Sequence, residues 1–275
     1  MWTLSGFADE IGPDLDLQLQ VIDELGLRYI ELRSAWGVNV LDLDDTQRSK
    51  VAAALAERGI KVSSIGSPIG KIGIEEEFKP HVDRMRHCVD VAQEFEAPFI
   101  RLFSFFLPAG TDPAEHRDEV MRRMDALAAI GGSARVAMVH ENEKEIYGDI
   151  PSRCLDIVRT VDNEYLQVAW DAANFVQCGV RPFTEGYEML RPYLTYVQIK
   201  DARLADASVV PAGAGDGEVR ETIRALASDG FDGFFSLEPH LAAQGPLGGF
   251  SGPDLWKKAH EAFTTILTDE GIAFS

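Results

Sequence analysis

The sequence predicts an α/β protein, a single (β/α)8 barrel filling residues 1–275 as one domain. Three observations carry this. Short apolar runs alternate with longer amphipathic stretches eight times, beginning at residue 2, and strict alternation calls for parallel strands joined by crossover helices. No linker or shift in composition interrupts the repeat, and 275 residues is an ordinary length for one such barrel. Four of the later runs stop at polar, oxygen-bearing residues, as strands do where they open onto a shared rim.

In order, the strands are expected at 2–7, 28–33, 60–66, 98–104, 134–141, 166–171, 194–200 and 232–238. Helical patterns lie near 13–25, 44–58, 75–96, 112–131, 151–162, 184–191, 216–229 and 253–270. Pro13 and Pro151 suit first-turn positions, where a missing N–H costs nothing. Gly26, Gly59 and Gly230 follow helices, as C-terminal caps do. Leu15, Leu19, Ile22 and Leu25 make an inward-facing helical stripe. Glu75, Glu76 and Glu77 read as a helix N-terminus that complements the dipole. Gly131–Gly132 and Gly248–Gly249 read as turns. His81, His87 and His116 sit in helical patterns and are expected at the surface.

Composition narrows the functional classes. The chain carries 45 acidic against 26 basic residues, a net charge of −19, with no basic stripe to reverse it locally, so nucleic acid is a poor partner. Cys88, Cys154 and Cys178 are odd in number and unpatterned, which fits a reduced, cytoplasmic protein. The opening Met-Trp-Thr-Leu-Ser-Gly-Phe lacks the basic region of a signal peptide, and no apolar run approaches a membrane span.

The informative strand ends read Val-Ala-Met-Val-His140-Glu141-Asn142, Leu-Gln-Val-Ala-Trp170-Asp171, Leu-Thr-Tyr-Val-Gln198-Ile-Lys200-Asp201 and Gly-Phe-Phe-Ser-Leu-Glu238-Pro-His240. Glu141, Asp171, Gln198 and Glu238 are 30, 27 and 40 residues apart, each step long enough for one crossover helix. An apolar run that stops at a carboxylate is costly unless that carboxylate finds a partner at an open strand end. Three carboxylates converging on one point call for a cation, and hard oxygen donors suit Mn²⁺ or Mg²⁺. Gln198 adds a neutral amide oxygen. Counting charge leaves this site about one negative, which favours a neutral polyol over a phosphate ester. A cation there stabilises the enediolate formed when a carbon beside a carbonyl loses its proton. Glu141 and Glu238, on non-adjacent strands, are placed to act as acid and base on opposite faces of a substrate.

These strand-end motifs resemble the sugar phosphate isomerase/epimerase-like TIM-barrel family, the xylose isomerase-like superfamily that includes ketose 3-epimerases and inosose enzymes. Phe7-Ala-Asp9-Glu10-Ile11, Gly26-x-x-Tyr29-Ile-Glu31-Leu-Arg33 and Pro211-Ala-Gly213-x-Gly215-Asp-Gly217 carry the resemblance over nearly the whole chain. It implies a metal-dependent sugar isomerase or epimerase, with Glu141, Asp171 and Glu238 as ligands and Glu141 and Glu238 also exchanging protons with substrate. The family's strand-7 ligand is usually His where this chain has Gln198. That change favours Mn²⁺ or Mg²⁺ and leaves Zn²⁺ or Co²⁺ as alternatives. The resemblance also implies a homodimer or homotetramer. Two other readings stay open: an inosose-type dehydratase that expels a β-hydroxyl, and a sugar-binding barrel weakened in catalysis by Gln198.

Around the four donors, Lys200 shares the parity of Gln198 and His240 that of Glu238, so both are candidates for substrate contact, as is Arg101. Glu31 and Arg33 share one side of their strand, for sugar recognition or mutual support. Trp36 follows the second strand, where an aromatic ring shields a sugar's apolar face. His140 has the opposite parity to Glu141 and belongs under the helices.

Overall fold

The computed structural model describes residues 1–245 and 248–275. Eight parallel strands form the barrel: β1 (Thr3–Gly6), β2 (Tyr29–Leu32), β3 (Lys61–Ile65), β4 (Phe99–Leu102), β5 (Ala137–Glu141), β6 (Leu166–Asp171), β7 (Leu194–Ile199) and β8 (Phe234–Leu237). Hydrogen-bonded ladders run from β2 through β3, β4, β5, β6, β7 and β8 to β1. β1 then lies beside β2 and closes the ring. Residues 273–275 return along β1, where Leu4 donates to the Ser275 carbonyl and Ser275 to that of Trp2.

Register decides which side chains meet. Asp171 pairs with Gln198, Gln198 with Ser236 and Ser236 with Ser5, so four neighbouring strands present these residues at one level. A bulge between Val168 and Ala169 makes the first pairing, because without it Asp171 would face Val197, whose side chain points the other way.

The principal helices are α1 (Leu15–Glu24), α2 (Asp45–Arg58), α3 (Phe78–Glu94), α4 (Pro113–Ala134), α5 (Pro151–Val161), α6 (Ala172–Gln177), α7 (Val219–Ser228) and α8 (Gly252–Asp269). Asp14 and Asp44 cap α1 and α2 through their side chains, and Gly26, Gly59 and Gly230 take positive φ at helix ends as expected. Pro151 opens α5, whereas Pro13 precedes the cap of α1.

Several expectations need correcting. The predicted helix at 184–191 is a π-turn at Phe183–Tyr187 running into Glu188–Leu190. The run Glu75–Glu77 precedes α3 instead of forming its first turn, and Glu76 accepts the Gly73 N–H at 2.7 Å. Gly131 and Gly132 lie within α4; a Cβ on Gly131 would stand 2.5 Å from Met138 Sδ, so glycine lets the helix sit close to β5. Gly248 and Gly249 belong to a short hairpin strand. His81 is buried, not exposed, and its Nε2 accepts the Gly70 N–H at 2.7 Å. Gly70 itself has φ +88°, and a Cβ there would lie 2.0 Å from the Phe103 carbonyl. His87 and His116 are half-buried.

His140 faces away from the barrel mouth, as its parity requires. It is fully buried, with Nε2 2.9 Å from Ser104 Oγ, and Gly148 packs so closely that a Cβ would meet its ring at 2.3 Å. Burial pushes the imidazole down to about 3. A histidine depressed below its solution value of about 6.5 contributes stability above that pH and loses it as pH falls toward the folded value, at ~1.4 kcal/mol per pH unit. Chemical denaturation of wild type and His140→Gln from pH 7 to pH 4 should therefore show the wild-type advantage shrinking as pH falls. A pH-independent difference would contradict this.

Candidate metal and active site

The C-terminal strand ends gather charged groups that are almost entirely out of water. Glu141, Asp171, Glu238, Glu10 and Glu31 are buried, as are Arg33, Arg101 and Lys200. Ions in such surroundings persist only when paired and hydrogen-bonded.

Asp171 ends β6 and caps α6. Its Oδ1 accepts the Asn174 N–H at 2.8 Å, while Oδ2 faces Lys200 Nζ at 2.8 Å. Asn174 Nδ2 donates to Glu141 Oε1 at 3.2 Å. Asn142 clasps the backbone of Asp171, donating to its carbonyl and accepting its N–H, both at 2.9 Å. The two asparagines of the Glu-Asn and Asp-x-x-Asn motifs thus fix where both carboxylates point.

Glu238 is held by four groups. Lys200 Nζ lies 2.9 Å from Oε2, while Arg33 Nη1, His240 Nε2 and Arg101 Nη1 lie 3.2, 3.4 and 3.5 Å from Oε1. Burial alone would raise its pKa, but Lys200, His240 and Arg101 outweigh burial and hold it well below the usual carboxylate range. Glu141 has the opposite balance: burial outweighs Arg101, 3.1 Å away, and pushes it up to about 8. Asp171 is raised by burial to about 6 despite Lys200. Lys200 stays charged, since Asp171, Glu238 and Glu141 overcome its own burial.

One oxygen each from Glu141, Asp171 and Glu238 lies within 4.8 Å of the others. Gln198, level with Asp171, donates Nε2 to Glu31 Oε2 at 3.1 Å, and its buried Oε1 has no hydrogen-bond partner among the described residues. Three convergent carboxylates and an unsatisfied amide oxygen fit a hard divalent cation. Lys200 Nζ, at Asp171 Oδ2 and Glu238 Oε2, already draws on two of the three carboxylates that would hold such a cation.

Glu31 lies inside the barrel, accepting from Ser236 Oγ at 2.8 Å and from Gln198, so it supports the site. His240 reaches the mouth with φ +49°. Trp36 stands on a hairpin after β2, 37% exposed, and no hydrogen bond or ring contact among the described residues joins it to the carboxylates.

Two residues outside the expected set also belong here. Asp9 holds Arg33 through Nε at 2.8 Å and Nη2 at 3.1 Å. Glu10 Oε2 accepts the His240 N–H at 2.9 Å and Ser251 Oγ at 3.0 Å, tying the loop after β8 to the end of β1. The Asp9-Glu10 pair at a strand end was their signal. The glycine motif has a structural role: Gly213, Gly215 and Gly217 each donate a backbone N–H to the Asp201 carboxylate at 2.9 Å.

The fold and this geometry define a xylose isomerase-like barrel. The xylose isomerase-like TIM barrel family model matches residues 19–266, and the chain belongs to that family. No curated protein matches the chain. Among solved structures it is similar to a D-tagatose 3-epimerase-like protein (16% identity, 98% of this chain and 100% of that one, TM-score 0.80). It also resembles the IOLI protein with a binding zinc atom (14%, 97% and 98%, TM-score 0.78). A third is a xylose isomerase-like TIM barrel protein from Mycobacterium smegmatis in complex with magnesium (19%, 98% and 96%, TM-score 0.72). At these identities the structures share the fold. No helix among the described residues is long and apolar enough to cross a membrane.

If Lys200 and a divalent ion compete, Lys200→Met should bind Mn²⁺ more tightly, on the order of tenfold by calorimetry. Its metal-free form should lose stability on the order of 3–5 kcal/mol, since buried carboxylates are left uncompensated. Unchanged or weaker Mn²⁺ binding would contradict the competition.

Proposed function

We propose that this chain is a divalent-metal-dependent isomerase or epimerase of an unphosphorylated sugar, keto-sugar or cyclitol, with Mn²⁺ or Mg²⁺ as the metal. The observation that carries the reading is the convergence of Glu141, Asp171 and Glu238 from three strand ends, with Gln198, whose Oε1 is unsatisfied, paired in register with Asp171. Glu141, Asp171, Glu238 and Gln198 would hold the ion, which supplies Lewis-acid stabilisation of negative charge on substrate oxygens.

Glu238, with Arg33 and Arg101 beside its Oε1, takes the proton from the carbon beside the substrate carbonyl. Glu141 holds the proton to be returned. β6 and β7 separate their strands, so the two act from different sides, and return on the opposite face inverts the carbon. Lys200, Arg101 and His240 orient substrate hydroxyls, with Trp36 over an apolar face. The buried cations are already paired with carboxylates, which leaves no spare charge for a phosphate and supports a neutral substrate. Three free cysteines fit a cytoplasmic setting, and a homodimer or homotetramer is the assembly expected.

The test is hydrogen exchange from D₂O into a panel of ketoses and cyclitols with the Mn²⁺-loaded protein. Glu141→Gln and Glu238→Gln, each checked for folding by thermal unfolding, should lower exchange on the order of 10²–10⁴-fold. No exchange by the loaded wild type across the panel would contradict the reading, and loss of one water would indicate a dehydratase.

A further inference from the structure

Gln198 and Glu31 form a pair that the reaction does not itself require. Glu31 is 1% exposed within the barrel, and its Oε2 takes hydrogen bonds from Ser236 Oγ at 2.8 Å and Gln198 Nε2 at 3.1 Å. Both bonds end on one oxygen of Glu31, and the amide meets it with its NH₂. Rotating the amide by half a turn would set its oxygen against a carboxylate oxygen. The carbonyl end is thereby directed away from Glu31. There Oε1 is buried, with no hydrogen-bond partner among the described residues, on a side chain level with Asp171 across the β6–β7 ladder. A buried carbonyl left unpaired costs about 1–3 kcal/mol, so something must make that orientation worthwhile.

We infer that Glu31 is a positioning residue that locks the Gln198 amide with its oxygen toward the Glu141, Asp171 and Glu238 carboxylates. An amide is ambiguous as a ligand, since one end accepts and the other donates. A fixed hydrogen-bond partner removes the ambiguity, as outer partners do for metal-bound side chains generally. The inference rests on the proposed metal site and says how this chain makes a glutamine serve in it.

Calorimetric Mn²⁺ titration of the full chain tests this with Glu31→Met, Gln198→Ala and the double variant, each checked for folding by thermal unfolding. Glu31→Met should weaken Mn²⁺ on the order of 10–100-fold, and Gln198→Ala by a similar factor. The double variant should bind no more weakly than Gln198→Ala, because Glu31 acts through Gln198. Because Glu31→Met also removes a buried carboxyl group close enough to Arg101 to feel its charge, the swap Glu31→Gln with Gln198→Glu is made as well. It conserves the total of carboxyl and amide groups and the hydrogen bond between the two positions, while turning the neutral ligand into a carboxylate, so it should bind Mn²⁺ at least as tightly as the wild type. Wild-type affinity in Glu31→Met, additive losses in the double variant, or a folded swap that loses Mn²⁺ would each overturn the positioning role while leaving the metal site standing. A wild type that binds no Mn²⁺ would overturn both.

Discussion

Glu238 is the point on which the mouth of the barrel closes. Arg33 after β2, Arg101 on β4, Lys200 after β7 and His240 beyond β8 all reach its two oxygens. Each cation then continues to another carboxylate: Arg33 to Asp9, Arg101 to Glu141, Lys200 to Asp171. Moving one such ion out of water costs several kcal/mol, so the network is tolerable only as a whole. Phe7 flanks the two guanidiniums, with its ring 4.4 Å from Arg33 and 4.8 Å from Arg101, and keeps the network dry. The count remains unequal. The carboxyl groups of Asp9, Glu10, Glu31, Glu141, Asp171 and Glu238 face three permanent cations and one histidine, and burial answers part of the mismatch by raising Glu10, Glu31, Glu141 and Asp171 toward their neutral forms; a divalent ion would favour their ionised forms instead.

Below this layer the barrel interior carries a chain of polar groups beside an apolar cluster of Val139, Ala169 and Tyr196. Ser5 and Ser63 are 2.6 Å apart, Ser63 lies 2.8 Å from the Tyr196 hydroxyl, and Ser236 bonds Glu31, which bonds Gln198. A core of side chains that pack without charge would not fix the amide above it. These groups do, because each has a specified partner. Asp201 shows the same economy: a carboxylate beside the site is spent on three glycine N–H groups, which shapes the loop before α7.

The strands and the chemistry of their ends were legible because parity in a barrel strand is strict: a donor two residues from another faces the same way. That logic placed Glu141 inward and His140 outward, and it brought Lys200 to the mouth. Parity cannot show what a side chain will meet. Lys200 reads as a substrate contact by position, yet its ammonium spans two carboxylates from other strands. Gln198 reads as a weak ligand until Glu31, more than 160 residues away, determines which end of the amide is free. His81 was misplaced because helical periodicity could not foresee the Gly70 loop folding over it. Gly131–Gly132 looked like a turn because small residues mark turns and close helix–strand contacts alike.

The most direct measurement is a crystal structure of the protein with Mn²⁺, located by its anomalous scattering. The expected result is one strong peak bounded by Glu141, Asp171, Glu238 and Gln198 Oε1, each within about 2.0–2.6 Å, with the Gln198 NH₂ still on Glu31. An absent peak, with Lys200 remaining between Asp171 and Glu238, would mean that the buried charges are balanced by this chain's own side chains, and that the metal-dependent chemistry proposed here is wrong.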